Sequence, residues 1–158
     1  MPSTSELNEA IEAHDAERVK ALITAGADVN ADDELWFKPI QNAISCGASS
    51  AIVKLLLEAG ASIKSSNSDP LIDAVAARNA EVVRLLLEHG ADAQMPDGEE
   101  ESETPLHLAV YGNDLACVEI LLQHGADPLE PNGEGETPLD AARDQGLRSV
   151  LARLEAEL

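Results

Sequence analysis

The chain has 158 residues, 44% of them hydrophobic but only 2% aromatic, and a formal net charge of −20. That length fits one domain with a sizeable core, and a core without aromatics must be packed from Ala, Leu, Val and Ile, which suits closely spaced helices. No apolar run reaches the roughly 18 residues of a membrane span. Met1 to Glu12 lacks the basic and apolar segments of a secretory signal, and two cysteines, Cys46 and Cys117, make no disulfide framework; the expectation is a cytoplasmic protein with reduced thiols.

The acidity is uneven. Residues 1–84 hold 13 acidic and 7 basic side chains, residues 85–142 hold 14 acidic and no Lys or Arg, and the last 16 residues hold three of each. A field of that sign repels nucleic-acid phosphates and anionic membranes and attracts basic partners. It also serves plain solubility.

In chain order, Leu7, Ala10 and Ile11 form an inward face, followed by an apolar helical stretch from Val19 to Ala25 that ends at Gly26-Ala27-Asp28. A loop containing Leu35, Trp36 and Phe37 leads to Lys38-Pro39, then to a second helical stretch, Ile52 to Ala59, ending at Gly60-Ala61-Ser62. Asp69-Pro70 opens the next unit, whose helix Val82 to His89 ends at Gly90-Ala91-Asp92. Thr104-Pro105 starts a short helix to Tyr111, Asn113-Asp114 make a tight turn, and Val118 to His124 precede Gly125-Ala126-Asp127. Thr137-Pro138 opens the last unit, closed by a helix from Leu147 to Leu158. The Gly-to-Gly steps are 34, 30 and 35 residues, a period that marks a repeat array. Pro at a first helical position loses no hydrogen bond, Thr before it caps the helix, and Gly after the second helix takes the left-handed conformation. Leu55 to Leu57 and Leu85 to Leu87 are apolar on more than one side and must lie between neighbours.

Thr104-Pro105-Leu106-His107-Leu108-Ala109, Thr137-Pro138-Leu139, the run Glu81 to Asp92, and Gly26-Ala27-Asp28-Val29-Asn30-Ala31 together resemble the ankyrin repeat family. The resemblance implies an all-α solenoid of stacked helix-turn-helix units with projecting β-turn fingers, and a concave binding face made of finger tips and first helices. It divides one domain, 1–158, into an N-terminal cap repeat (1–30), internal repeats 31–64, 65–94 and 95–129, and a C-terminal cap repeat (130–158). Charged outer faces at both ends suit terminal repeats, so a complete array, monomeric when free, is expected.

Departures from the family pattern supply the candidate site. Trp36 stands where the family usually has Gly; with Leu35 and Phe37 it forms either an exposed anchor or a patch folded back on its neighbours. Gln41, Ser45 and Cys46 fall on the face that the resemblance assigns to partners. One extra residue lies within Gly47 to Ser50, and Arg78 replaces a turn Gly, which should distort that turn. The finger from Ser62 to Pro70 is short and that from Ala93 to Thr104 long. The long finger carries Asp97, Glu99, Glu100, Glu101 and Glu103, and the next carries Glu130, Glu134 and Glu136: eight carboxylates along one edge, either a solvated charge run or a claw for a partner's Lys and Arg. Tyr111 ends a first helix on the same face.

Catalytic patterns are missing. No phosphate-binding loop, nucleophile elbow or zinc pair occurs, Cys117 falls at a buried position, and His89 and His124 repeat one helix-end position. The reading is a non-enzymatic protein-binding module without cofactor or metal, facing a basic partner, with no nucleic acid or membrane. An immunity- or antitoxin-type inhibitor of a toxin or nuclease and a passive scaffold subunit are the alternatives.

Overall fold

The computed structural model describes residues 2–32, 37–63, 69–94 and 103–158. Among them are helices α1 (Thr4–Glu12), α2 (Ala16–Thr24), α3 (Pro39–Ser45), α4 (Ser50–Glu58), α5 (Pro70–Ala76), α6 (Ala80–Glu88), α7 (Pro105–Tyr111), α8 (Leu115–Gln123), α9 (Pro138–Asp144) and α10 (Arg148–Glu155), with no strand among the described residues. Short first helices of mostly seven residues alternate with second helices of eight or nine, the helix-turn-helix repetition expected of an all-α solenoid. The chain divides into two compact units, Met1–Asp73 and Ala74–Leu158, the boundary falling inside α5. In the first, α1 packs on α2 and α3, α3 on α4, and α2 on α4. In the second, α7 packs on α8 and α9, α6 on α8, and both α8 and α9 on α10.

Local sequence starts and stops each helix. Pro39, Pro105 and Pro138 begin α3, α7 and α9. Ser3 and Glu6 form a reciprocal cap on α1, the Glu6 carboxylate accepting from Ser3 N–H at 2.8 Å. Asp15, Asn79 and Asp114 accept from the backbone amides of Arg18, Val82 and Cys117. Gly26, Gly60, Gly90 and Gly125 end the second helices at φ between +88° and +93°, a region that costs a side-chain-bearing residue about 1–2 kcal/mol.

A second left-handed residue joins the two helices of every pair: His14, Gly47, Arg78, Asn113 and Gly146. The distortion expected at Arg78 is absent. Arg78 takes φ +56° and its amide donates to Val75 O at 2.9 Å, as Asn113 does to Val110 O at 2.8 Å. The turn's hydrogen bonds impose the conformation, and Arg78 adopts it with the strain that a Cβ brings. The extra residue of the second pair is placed by the same comparison. Ala48 N donates to Ala43 O at 2.8 Å, as Asn79 N does to Ala74 O at 3.1 Å, but α4 begins one residue later than its counterparts, after Ser49.

Four residues before each left-handed turn stands an alanine: Ala10, Ala43, Ala74, Ala109 and Ala142, none more than 1% exposed. A methyl group there lets neighbouring helices approach closely, while Leu7, Ile40, Leu71, Leu106 and Leu139, three residues earlier, fill the interior. Val53, Leu56, Val83, Leu86, Val118 and Leu121 supply the second helices' share.

Leu86 is fully buried, so Leu86→Ala should cost about 2–5 kcal/mol in urea unfolding. A near-neutral result would contradict the assigned core face. Arg78→Gly should gain about 1 kcal/mol by relieving the left-handed strain, since the Arg78–Asp114 contact it removes is 3.8 Å long with Arg78 60% exposed and exposed pairs contribute little. Lost stability would show that the Arg78 side chain holds the turn.

Candidate partner-binding site

The fingers are fastened to their neighbours by side chains at their bases. In the first unit, Asn30 donates to Gly60 O at 2.9 Å and accepts from Ser62 N at 2.7 Å. In the second, Gln94 accepts from Asp127 N at 2.9 Å. Asp28, Asp92 and Asp127 each turn back to accept from the amide two residues on, the local bond that makes Asp a turn former.

The sequence candidates separate under this geometry. Leu35, Trp36, Asp97, Glu99, Glu100 and Glu101 lie outside the described residues. Phe37 is 37% exposed, and Ser45 is exposed at the end of α3. Gln41, expected to face a partner, is instead fully buried: its Oε1 accepts from Lys38 N at 3.0 Å. Gln41 stands at the third position of α3, where a side chain reaches back to satisfy an amide ahead of the helix, and it contributes no surface.

In the second unit, residues from two fingers and one helix end converge. Tyr111, at the end of α7, donates its hydroxyl proton to Glu136 Oε2 at 2.7 Å, and Glu103 Oε1 lies 3.3 Å from the same oxygen. Glu103 also accepts from Asn132 Nδ2, at 3.1 and 3.3 Å to its two oxygens. Asn132 Oδ1 in turn accepts from the amides of Glu134 and Glu136, each at 3.0 Å. Below them His107, fully buried, ties α7 to the finger. Thr104 N donates to its Nδ1 at 3.3 Å, so Nδ1 is the acceptor and Nε2 carries the proton that it donates to Glu136 O at 2.9 Å. Glu134 stays exposed at the tip.

Two carboxylates on one phenol set the local electrostatics. Burial, then the bond to Glu136 and the nearby Glu103 charge, push the Tyr111 hydroxyl well above its ordinary range, since an anion there would face two others. Burial likewise pushes the Cys117 thiol up to about 12, with Asp114 adding to it, which makes it a poor nucleophile. His89 and His124 end α6 and α8 with Nδ1 at 2.8 and 2.9 Å from Leu85 O and Ile120 O, a helix-capping role. No group of metal-ligand side chains occurs among the described residues, and no helix among them is long and apolar enough to cross a membrane.

The convergence was not visible from spacing. The sequence groups Glu103 and Glu136 with six other carboxylates along one edge and puts Tyr111 on the same face, but it does not give their meeting at one hydroxyl or the part of Asn132, which joins Glu103 to the finger of Glu136. Its signal was an Asn ahead of two glycines in a finger tip, Asn132-Gly133-Glu134-Gly135, a turn former with side-chain valences to spare.

Tyr111 is the chain's single tyrosine, so phenolate absorbance reports it alone. An unperturbed phenol ionises near pH ~10. Because the folded-state value is raised, the stability that Tyr111 contributes is fully present below that pH and is lost as pH rises toward the folded-state value. The folded chain should show no phenolate band at pH ~11, and Tyr111→Phe should flatten the alkaline fall in stability. An ordinary titration would contradict the buried hydrogen bond.

Residues 7–97 match the ankyrin repeat pattern in three copies, and residues 96–142 match it in its many-copy form. No curated protein matches the chain significantly. Repeats of this type are generally protein–protein interaction modules, typically without catalysis. Helix pairs separated by left-handed turns, buried alanines at a fixed register, fingers bonded base to base and a sequence match over most of the length agree with one another: the chain belongs to the ankyrin repeat family.

Proposed function

We propose that the protein binds another protein presenting Lys and Arg side chains, and that Glu103, Tyr111, Glu134 and Glu136 form the part of the contact that reads that charge. The observation that carries the reading is the junction itself. Glu103 and Glu136 are held at one phenol within residues 85–142, a segment with no Lys or Arg. A like-charge pair held in place lowers its repulsion when a guanidinium or ammonium arrives, and carboxylates already ordered lose little entropy on binding. Phe37 and Ser45 in the first unit, with Leu35, Trp36, Asp97, Glu99, Glu100 and Glu101, complete the proposed contact set. On this reading the free chain is a monomer, acts in the cytosol and needs no cofactor; an inhibitor of a basic toxin or nuclease would be one form of it.

Affinity capture from cytosol should retain a basic protein on the wild-type chain and lose it on a folded Glu103→Gln, Glu136→Gln double variant. Its affinity should fall more than about tenfold as salt rises from ~0.1 to ~1 M, where the screening length shrinks from ~10 to ~3 Å. Capture that is indifferent to both changes removes the acidic junction from the interface.

A further inference from the structure

Asn132 is followed by Gly133, the pairing in which an asparagine amide is lost most readily, because no side chain on the next residue hinders ring closure. We propose that Asn132 is a deamidation site that the folded finger holds shut, and that the reaction, once the finger opens, prevents it from closing again.

The chemistry needs only water. The Gly133 amide nitrogen gives up its proton and bonds to Asn132 Cγ; the Cγ–Nδ2 bond breaks, and Nδ2 leaves as ammonia after taking a proton. Water then opens the resulting five-membered imide at either carbonyl. One product carries aspartate at 132; the other carries isoaspartate, with the backbone running through the side-chain carbon. Nothing is oxidised or reduced, and an amide plus water becomes a carboxylate plus ammonium.

In the folded chain Cγ is not free to turn toward Gly133 N. Oδ1 is held by two backbone amides, those of Glu134 and Glu136, each at 3.0 Å, and Nδ2 lies 3.1 and 3.3 Å from the Glu103 oxygens. The residue is 7% exposed. Its own backbone closes the finger as well, Asn132 N donating to Glu136 O at 2.9 Å and Gly135 N to Asn132 O at 3.0 Å. Rotating the side chain breaks both ends of this clasp together, so reaction requires the finger to open first. The product cannot rebuild it. A carboxylate has no N–H for Glu103 and instead sets a third negative group beside Glu103 and Glu136; isoaspartate also lengthens the backbone inside the turn. A chain that has reacted once keeps the lesion, so the clasp records irreversibly whether the finger has been open.

The test incubates the wild-type chain, folded in buffer and unfolded in urea, at one mildly alkaline pH and one temperature. Conversion at Asn132 is followed by peptide mass mapping that resolves aspartate from isoaspartate. Conversion in the folded chain should be about tenfold or more slower than in urea, the protection expected of a site that reacts only from an open state. Equal rates, or no conversion in urea, would overturn the proposal. Glu103→Ala removes the partner of Nδ2 and should move the folded rate toward the urea rate; a rate equal to that of wild type would show that Glu103 is no part of the lock. Gly133→Ala should slow conversion in urea, since a side chain after Asn132 hinders ring closure whatever the fold does; an unchanged rate would overturn the ring-closure route. Asn132→Asp, a mimic of one product, should melt below wild type, and an equal melting temperature would overturn the claim that the reaction bars closure.

Discussion

Close approach between thin helices is the constraint from which the rest follows. A helix of seven residues cannot bury enough apolar surface by itself, and few residues separate its two ends from water. It becomes stable only when a neighbour lies against it at short range. Ala10, Ala43, Ala74, Ala109 and Ala142, all buried, meet that need at one register. The carbonyl of each accepts from the residue just after the left-handed turn, so the position that sets helix spacing also fixes the chain's reversal. Substituting a larger side chain there would disturb spacing and turn together, which explains why a composition rich in Ala and Leu and poor in aromatics suffices.

Once the helices are spaced, the fingers are held at their bases by buried Ala27, Val29, Ala61, Ala93 and Ala126 and by hydrogen bonds. Asn30 in the first unit and Gln94 in the second stand at the same position of their fingers, and both reach the backbone of the next repeat. Leu129 stands at the corresponding position of the last finger and is 48% exposed, without polar atoms to reach onward. His107 adds a second fastening in the second unit, joining a first helix to the finger that carries Glu136. Burying the imidazole is tolerable because both of its nitrogens are hydrogen-bonded. The acidic junction rests on this frame: charges that would repel and spread in a free loop are held by Tyr111 and Asn132, whose donors face them.

The fold was legible because it is written several times over. A Gly-Ala pair after four of the five apolar stretches and a Pro opening four of the five first helices recur at a period no single motif could counterfeit. Even the extra residue near Ala48 could be located by counting. At Arg78 the family preference for Gly is no requirement: two hydrogen bonds in the turn hold a side-chain-bearing residue at φ +56°. Gln41 is buried although its position reads as surface, because surface and interior positions on a seven-residue helix are one residue apart and the cap to Lys38 draws it inward. The site was legible residue by residue but not as a constellation. Spacing puts Glu103, Tyr111 and Glu136 on neighbouring elements, yet their meeting at one hydroxyl depends on side-chain directions that a sequence does not state.

The most direct measurement replaces Tyr111, the only tyrosine, with 3-fluorotyrosine and follows its fluorine resonance while an arginine-rich peptide is titrated in, beside an equally long glutamate-rich peptide. If the acidic junction receives a partner's cations, the resonance shifts with the basic peptide alone, saturates, and returns toward its starting position as salt is raised. A resonance unmoved by the basic peptide, or moved equally by both, contradicts that account and leaves the junction as internal fastening of the finger.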